Sequence, residues 1–205
     1  MAATLSLFIL KDKFAHKSMK MEKAVIPGLA FMVVVFIGAA YMRNIVWQDE
    51  INLWSDVVKK SPFKARGHNN LGVAYGKKGW VDRAMEQYEI ALKLKPDYAQ
   101  VHNNLGVAYG NKGWVDKAME QFEIVLKLKP DHAEAHNNLG LVYFKKGWFD
   151  KAIEQYETAL KLKPDYAEVH NNLGIVYAGK GWVDKAREQY GIALKLKPDL
   201  RSNAQ

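Results

Sequence analysis

The sequence contains no cysteine and only six prolines among its 205 residues. The absence of cysteine excludes a disulfide scaffold, a thiolate zinc site and a cysteine nucleophile. No serine or threonine is paired with an acid and a base in the pattern of a nucleophilic enzyme. We therefore predict no catalytic residue, no cofactor and no metal site.

The few prolines are regularly spaced. Five of them stand 34 residues apart, at Pro62, Pro96, Pro130, Pro164 and Pro198. Four of the six tryptophans keep the same interval, at Trp80, Trp114, Trp148 and Trp182. Such an interval indicates stacked repeats and argues against an ordinary enzyme domain, whose active site needs residues that do not repeat.

The sixth proline, Pro27, lies in an apolar segment that differs from the repeats. Residues 24–42 include no charged side chain, and as a helix they would span roughly 28 Å, close to the thickness of a bilayer core. We predict a single transmembrane helix. A cleaved signal peptide is the alternative, because small residues follow at 38–40, but the long run and the 23-residue leader favour an uncleaved anchor.

The distribution of lysine predicts the orientation of this segment. Five lysines precede it, whereas only Arg43 follows it before Lys59. The leader is then cytoplasmic and the rest of the chain extracytoplasmic, as expected for a single-pass protein of a bacterial inner membrane. Residues 1–43 account for half of the net charge of +8, and no basic stripe follows one predicted helix face, so we predict no nucleic-acid partner.

The repeats predict two helices each. Apolar residues three or four positions apart form one stripe around Leu71 and Tyr75 and a second around Ala84 and Tyr88. Gly79 supplies the turn between them, and the small Gly72 and Ala84 are expected to let the paired helices approach closely. Stacked pairs would form one continuous core.

The repeat resembles the tetratricopeptide repeat, a 34-residue unit with a Leu-Gly, Tyr, Ala, Tyr, Ala, Pro pattern. The matching residues of the first copy are Leu71, Gly72, Tyr75, Ala84, Tyr88, Ala91 and Pro96. The resemblance implies an all-α fold, a right-handed superhelix of helix-turn-helix repeats, preceded here by one transmembrane helix. It also implies a protein or peptide partner bound in a concave groove.

The pattern extends to both sides of the full copies. The spacing of Trp54, Val57, Val58 and Pro62 predicts a joining helix from Ile45 to Lys60, equivalent to the second half of a repeat. The chain then divides into a leader at 1–23, a transmembrane helix at 24–42, a joining helix at 43–64, repeats at 65–98, 99–132, 133–166 and 167–200, and a tail at 201–205. With so short a tail, the last helix is expected to expose apolar surface, which could support self-association.

Helix starts are predicted from paired side chains. Asp97 with Gln100, and Asp131 with Glu134, have the spacing of capping boxes that open the next first helix. The pair formed by Asp165 and Glu168 has the same spacing.

The resemblance places the groove along the first helix of each repeat and predicts a mainly neutral, mildly apolar surface. The predicted lining residues are Asn69, Asn70, Val73, Lys77, Asn103, Asn104, Val107, Asn111, Asn137, Asn138, Leu141, Phe144, Lys145, Asn171, Asn172 and Ile175. The asparagine before each core leucine matches a ladder in the O-linked N-acetylglucosamine transferase superhelix that holds a peptide backbone. The alternative is that these amides hydrogen-bond between helices.

Two recurring side chains are expected to pack rather than bind. The histidines at His68, His102, His136 and His170 lie too far apart, two helices from one copy to the next, to share a metal ion. The tryptophan row is expected to be half-buried at the hairpin edge, with an exposed aromatic ladder as the alternative.

The stretch from Arg43 to Gly72 is also similar to the junction of multi-pass membrane glycosyltransferases that end in tetratricopeptide repeats. Their catalytic spans have no counterpart in this sequence. The sequence thus predicts a membrane-anchored interaction module, with an accessory part of such a glycosyltransferase, itself not catalytic, as the alternative.

Overall fold

The structure, a computed structural model, describes residues 31–38 and 49–199. Among the described residues, those from Trp54 onward belong to one compact unit and those up to Leu53 to another. All regular elements of the described residues are helices: α1 (Glu50–Lys60), α2 (Ala65–Lys77), α3 (Val81–Leu94), α4 (Ala99–Asn111), α5 (Val115–Leu128), α6 (Ala133–Lys145), α7 (Phe149–Leu162), α8 (Ala167–Gly179) and α9 (Val183–Leu196), with residues 31–38 also helical.

The predicted transmembrane helix lies largely outside the described residues. Its described part, 31–38, is a helix with exposed apolar side chains. Within the described ranges, no helix has both the length and the apolar composition needed to cross a bilayer. The joining helix is described from Glu50, whereas residues 45–48 lie outside the described part, as do the leader and the tail.

The all-α repeat fold predicted from the sequence is confirmed. Helices α2 to α9 pair into four hairpins, and the second helix of each hairpin packs on the first helix of the next. Each hairpin turns at a glycine in the left-handed region, which a side chain would strain. These glycines are Gly79, Gly113, Gly147 and Gly181, with φ between 73° and 77°.

Proline ends the second helix of each repeat, as expected. Lys95, the residue before Pro96, has φ −145° and ψ 90°. This extended conformation is the one that a following proline favours, because its ring clashes with a helical predecessor. Lys129, Lys163 and Lys197 have nearly the same dihedral angles before their own prolines.

The predicted capping boxes do not form. Helix α4 begins after Tyr98 rather than after Asp97, and α6 begins after His132, whose Nδ1 accepts from the amide of Ala135 at 3.2 Å. The residue equivalent to His132 before α8 is Tyr166, so Asp165 is not the cap there either. The aspartates therefore stand one residue too early, because the turn after proline extends by one residue before the helix begins.

Small residues allow close packing inside each hairpin, which confirms the expectation for Gly72 and Ala84. A Cβ atom added at Gly140 would lie 2.6 Å from the ring of Tyr156, closer than non-bonded carbons approach. The same clash recurs at the other copies, between Gly72 and Tyr88, Gly106 and Phe122, and Gly174 and Tyr190. The aromatic ring of the second helix thus lies directly on the backbone of the first.

This packing makes the fold sensitive to high pH. Burial raises the pKa of Tyr88 to about 12 from its ordinary value of 10.0. A folded-state pKa above the unfolded one means that the stabilisation is complete below pH 10 and declines as the pH rises towards 12. We expect the melting temperature to fall across this interval, and Tyr88→Phe, which copies Phe122, to reduce the fall when measured by circular dichroism.

If the melting temperature of Tyr88→Phe fell above pH 10 as much as that of the unmodified chain, the alkaline sensitivity would come from other groups. Tyr156 is the next candidate, since burial also raises its pKa.

Each recurring histidine makes two polar contacts that stabilise the packing of its repeat. Nε2 of His102 lies 2.8 Å from the carbonyl oxygen of Pro96, and Nδ1 lies 2.8 Å from Oε1 of Gln121. The ring therefore joins the loop that precedes its own helix to the second helix of its hairpin. Equivalent contacts are made by His68, His136 and His170.

The tryptophan row is half-buried. Each ring lies 5.6 to 5.8 Å, centroid to centroid, from a tyrosine of the same repeat, and 41 to 47% of each residue is exposed. Lys146 and Lys151 both lie within 5 Å of the Trp148 ring, and Lys146 also pairs with Asp116 of the preceding repeat. Lys146 thus connects the third repeat to the second.

The last helix exposes apolar surface, as the sequence indicated. Val183 is 59% exposed and Tyr190 is only partly buried, whereas their counterparts in the first three repeats are more buried. Arg187 occupies the position that Met85 holds in the first repeat, where it is buried. A charged side chain therefore interrupts the apolar face of α9. Self-association through it stays a prediction.

Candidate peptide-binding groove

The first helices α2, α4, α6 and α8 lie side by side and are joined by asparagine side chains. Nδ2 of Asn104 donates to Oδ1 of Asn69 at 3.0 Å, and Nδ2 of Asn138 donates to Oδ1 of Asn103 at 3.1 Å. A third bond of the same kind links Asn172 to Asn137 at 3.0 Å. The second asparagine of each pair thus bonds to the first asparagine of the preceding repeat.

In the first three pairs, the first asparagine is occupied by these contacts. Asn103 is 1% exposed and also donates to Oε1 of Glu134 at 2.9 Å, so both ends of its amide have partners in the protein. Asn137 is equally buried, and Asn69 is 6% exposed. A ligand could reach them only by separating the helices, since buried amides that lose their partners are costly.

A first pocket of about 280 Å³ lies between the first and second repeats. Its floor is formed by Ala84 and Tyr88 of α3, and its sides by Val73 of α2 and Val107 of α4. The remaining lining residues are Gly76, Val81, Asn104, Ala108, Asn111 and Glu134. Glu134 is the one charged residue of this lining.

A second pocket of about 120 Å³ repeats this arrangement between the second and third repeats. Phe122 and Ala118 of α5 form its floor, and Leu141 of α6 faces Val107 across it. Its other lining residues are Gly106, Gly110, Asn111, Val115, Asn138, Val142 and Lys145. Val107 and Asn111 line both pockets, so the two spaces adjoin.

Seven of the predicted residues are brought together by these pockets: Val73, Asn104, Val107, Asn111, Asn138, Leu141 and Lys145. Ile175 continues the apolar row on α8 with 41% of its surface exposed. Phe144 packs on Phe149, with 5.8 Å between ring centroids. The other predicted residues, Lys77, Asn70, Asn171 and Asn172, stand on the same helices without lining either pocket.

Most of the other lining residues were not predicted as part of the groove, Val81, Val115 and Glu134 among them. Val81 and Val115 each open a second helix, whereas only first helices were expected to contribute. Glu134 was assigned to a helix cap. The sequence contained one indication of a shared role, since Val81 and Val115 are 34 residues apart. Only the packing of α3 and α5 behind the groove shows that these two valines reach the pockets.

The chemistry of the groove is that of a binding surface. In residues 31–38 and 49–199, no group of histidines and carboxylates has the arrangement needed to hold a metal ion. The polar groups of the pockets are amides, the Tyr88 hydroxyl, one carboxylate and one ammonium group. Amides can donate to and accept from a peptide backbone, and the apolar floor can bury side chains.

The chain resembles solved structures of helical repeat proteins. It is 28% identical to MamA with a TM-score of 0.65, over 74% of this chain and 89% of that chain. It is also 28% identical to TTC0263, a thermophilic repeat protein of Thermus thermophilus, with a TM-score of 0.65 over 75% of this chain and 86% of that one. The likeness to pilF of Pseudomonas aeruginosa, at 22% identity and a TM-score of 0.66 over 78% and 73% of the two chains, shows the fold alone.

Family models give the same result at the level of sequence, whereas no curated protein matches the chain. The TPR repeat model matches residues 81–113, 112–147 and 143–181, and the tetratricopeptide repeat model matches 167–200. The resemblance to membrane glycosyltransferases gains no support from these matches. The matched segments run without a gap from the second helix of the first repeat to the end of the fourth, and the chain belongs to the tetratricopeptide repeat family.

Proposed function

We propose that this protein is a membrane-anchored interaction module that binds a protein or peptide partner in the groove of its first helices. The observation that carries the proposal is the pair of adjoining pockets, which share Val107 and Asn111. Val107 is 40% exposed at the centre of this surface although it is apolar. An apolar side chain at the rim of two open pockets is what a partner would bury on binding.

The composition of the groove favours a peptide over a small charged ligand. Its single carboxylate and single ammonium group lie in different pockets, at Glu134 and Lys145. A groove that holds a C-terminal carboxylate would need a cluster of lysine and arginine. The affinity would therefore come from buried apolar side chains and from amide contacts to the backbone of an internal segment of the partner.

The test is a charge placed at the centre of the groove. In the full chain, Val107→Asp should weaken partner binding at least about ten-fold, because a carboxylate would lose its hydration against the apolar pocket walls. The matched control is Leu128→Asp, an apolar residue of α5 that is 42% exposed and lines neither pocket. Partners captured from membrane extracts are compared between the two variants, and the affinity of one purified partner is then measured.

Equal binding by the two variants, with melting temperatures like that of the unmodified chain, would exclude the groove as the binding surface. Loss of binding in both variants would show that the partner recognises another face.

The membrane anchor is part of the same proposal. Its support is the uncharged run at 24–42 and the five lysines before it. An alkaline phosphatase fused to the C-terminus should be active in a bacterial host, and the chain should stay in the membrane fraction after alkaline extraction. A bright fluorescent fusion with an inactive phosphatase fusion would place the repeats on the cytoplasmic side.

A further inference from the structure

Two glycines of the groove have no structural need to be glycine. Gly76 and Gly110 are in helical conformation near the ends of α2 and α4. A Cβ atom at Gly110 would meet nothing within 4 Å, and one at Gly76 would lie 3.8 Å from the Tyr88 hydroxyl, an ordinary contact. Glycine weakens a helix relative to alanine. Neither packing nor backbone conformation therefore explains these two residues, in contrast to Gly72 and Gly106.

Their effect is to open the two pockets. Gly76 and Val81 line the first pocket, and Gly110 and Val115 line the second at equivalent positions. In the third repeat the equivalent residues are aromatic, and the rings of Phe144 and Phe149 lie together. The missing side chains thus leave two cavities in consecutive repeats, and the phenylalanine pair fills the equivalent place in the third.

The distance between the pockets constrains the ligand. Adjacent packed helices lie about 8–10 Å apart, and the bond from Asn104 to Asn69 shows that the first helices are adjacent. A β-strand presents side chains to one face at about 6.6 or 13 Å, because its side chains alternate. A polyproline II helix presents every third residue to one face at about 9 Å. Of these two extended conformations, polyproline II has the spacing that matches the repeat.

Charge completes the description of the ligand. Glu134 lines the first pocket and Lys145 the second. A segment that places a basic side chain beside its first anchor and an acidic one beside its second is complementary to both. The same two residues disfavour a segment with like charges at these places.

We propose that the groove selects a polyproline II segment of a partner protein with two apolar side chains three residues apart, which enter the spaces left by Gly76 and Gly110. The proposal rests on the proposed function and specifies its ligand. Gly76 and Gly110 act as specificity-determining residues. The phenylalanine pair limits the anchors to two.

The probes are three labelled peptides, in which a lysine, a leucine, a run of prolines, a second leucine and a glutamate follow in that order. The run contains one, two or three prolines. Binding to the full chain in mild detergent is measured by fluorescence anisotropy. The two-proline peptide should bind at least about ten-fold more tightly than the others, because only it buries both leucines. Equal affinity for all three peptides would overturn the proposal.

Gly110→Leu fills the second pocket in the same assay. Its affinity for the two-proline peptide should be at least about ten-fold lower, because the pocket no longer accepts the second leucine. The melting temperature should be unchanged or higher, since leucine is a better helix former than glycine. The matched control is Gly191→Leu on α9, where a Cβ also meets nothing within 4 Å. Undiminished binding by the folded Gly110→Leu variant would also overturn the proposal.

A random peptide display library separates this proposal from the broader one. Groove binders that lack the three-residue spacing, and that Val107→Asp abolishes, would overturn the polyproline II ligand and leave the proposed function intact. If the library yields no peptide whose binding Val107→Asp abolishes, both the polyproline II ligand and the proposed function are wrong.

Discussion

Tyr156→Ala is expected to lower the free energy of unfolding by about 3–5 kcal/mol, the usual cost of removing a buried aromatic ring. The residue is 1% exposed and lies on the backbone of α6 at Gly140. Its removal leaves a cavity between the two helices of the third hairpin, and the neighbouring hairpins on both sides lose part of their support. Urea denaturation followed by circular dichroism measures the change.

The control is Tyr156→Phe, which should cost little because Phe122 occupies this position in the second repeat with 3% exposure. A loss below about 1 kcal/mol for Tyr156→Ala would contradict the assignment of the ring as the main contact of its hairpin.

The reciprocal substitution tests the same contact from the other helix. Gly140→Ala should destabilise by about 1–3 kcal/mol, although alanine favours a helix, because its Cβ would overlap the Tyr156 ring. Combined with Tyr156→Ala, the added methyl group occupies vacated space. The two changes should therefore be non-additive, with the double variant more stable than the sum predicts.

Asn103→Ala is expected to lower the free energy of unfolding by about 1–3 kcal/mol, as lost partners leave buried polar groups unsatisfied. The Asn138 amide would lose its acceptor and Glu134 would lose a donor. Asn111→Ala is the comparison, because Asn111 is exposed and lines both pockets. It should change stability by no more than about 0.5 kcal/mol.

The two variants also separate an asparagine that binds a ligand from one that joins neighbouring repeats. Asn111→Ala should reduce affinity for a groove ligand, and Asn103→Ala should mainly reduce the melting temperature. An unchanged melting temperature for Asn103→Ala would show that the inter-repeat bonds contribute nothing to the stack.

Much of the fold could be predicted because its determinants are local. The turn at Gly79 needs a residue that accepts positive φ, and Pro96 ends a helix through its own ring, so both positions are readable in any single copy. The helix start after Pro96 was misplaced by one residue. Side-chain chemistry favoured Asp97 as the cap, but the turn geometry set the start at Ala99.

The groove could be predicted only in part. Val73, Val107 and Leu141 follow from the family resemblance, which places the groove along the first helices, and they do lie together. The sequence could not decide whether Asn69 contacts a ligand or bonds to Asn104. Both outcomes need the same residue type on the same helix face.

By itself, the sequence determined the number of repeats, the helix pairs, the turn glycines and the close approach of the paired helices at Gly72, because each depends on residues within one 34-residue copy. The tertiary structure alone decided which amides bond to each other, that Lys146 joins Asp116, and that Gly76 and Gly110 open pockets. These contacts join residues about one repeat apart, and their distances depend on how neighbouring repeats stack. An exact sequence repeat is compatible with more than one such stacking, so only the packed structure selects the partners.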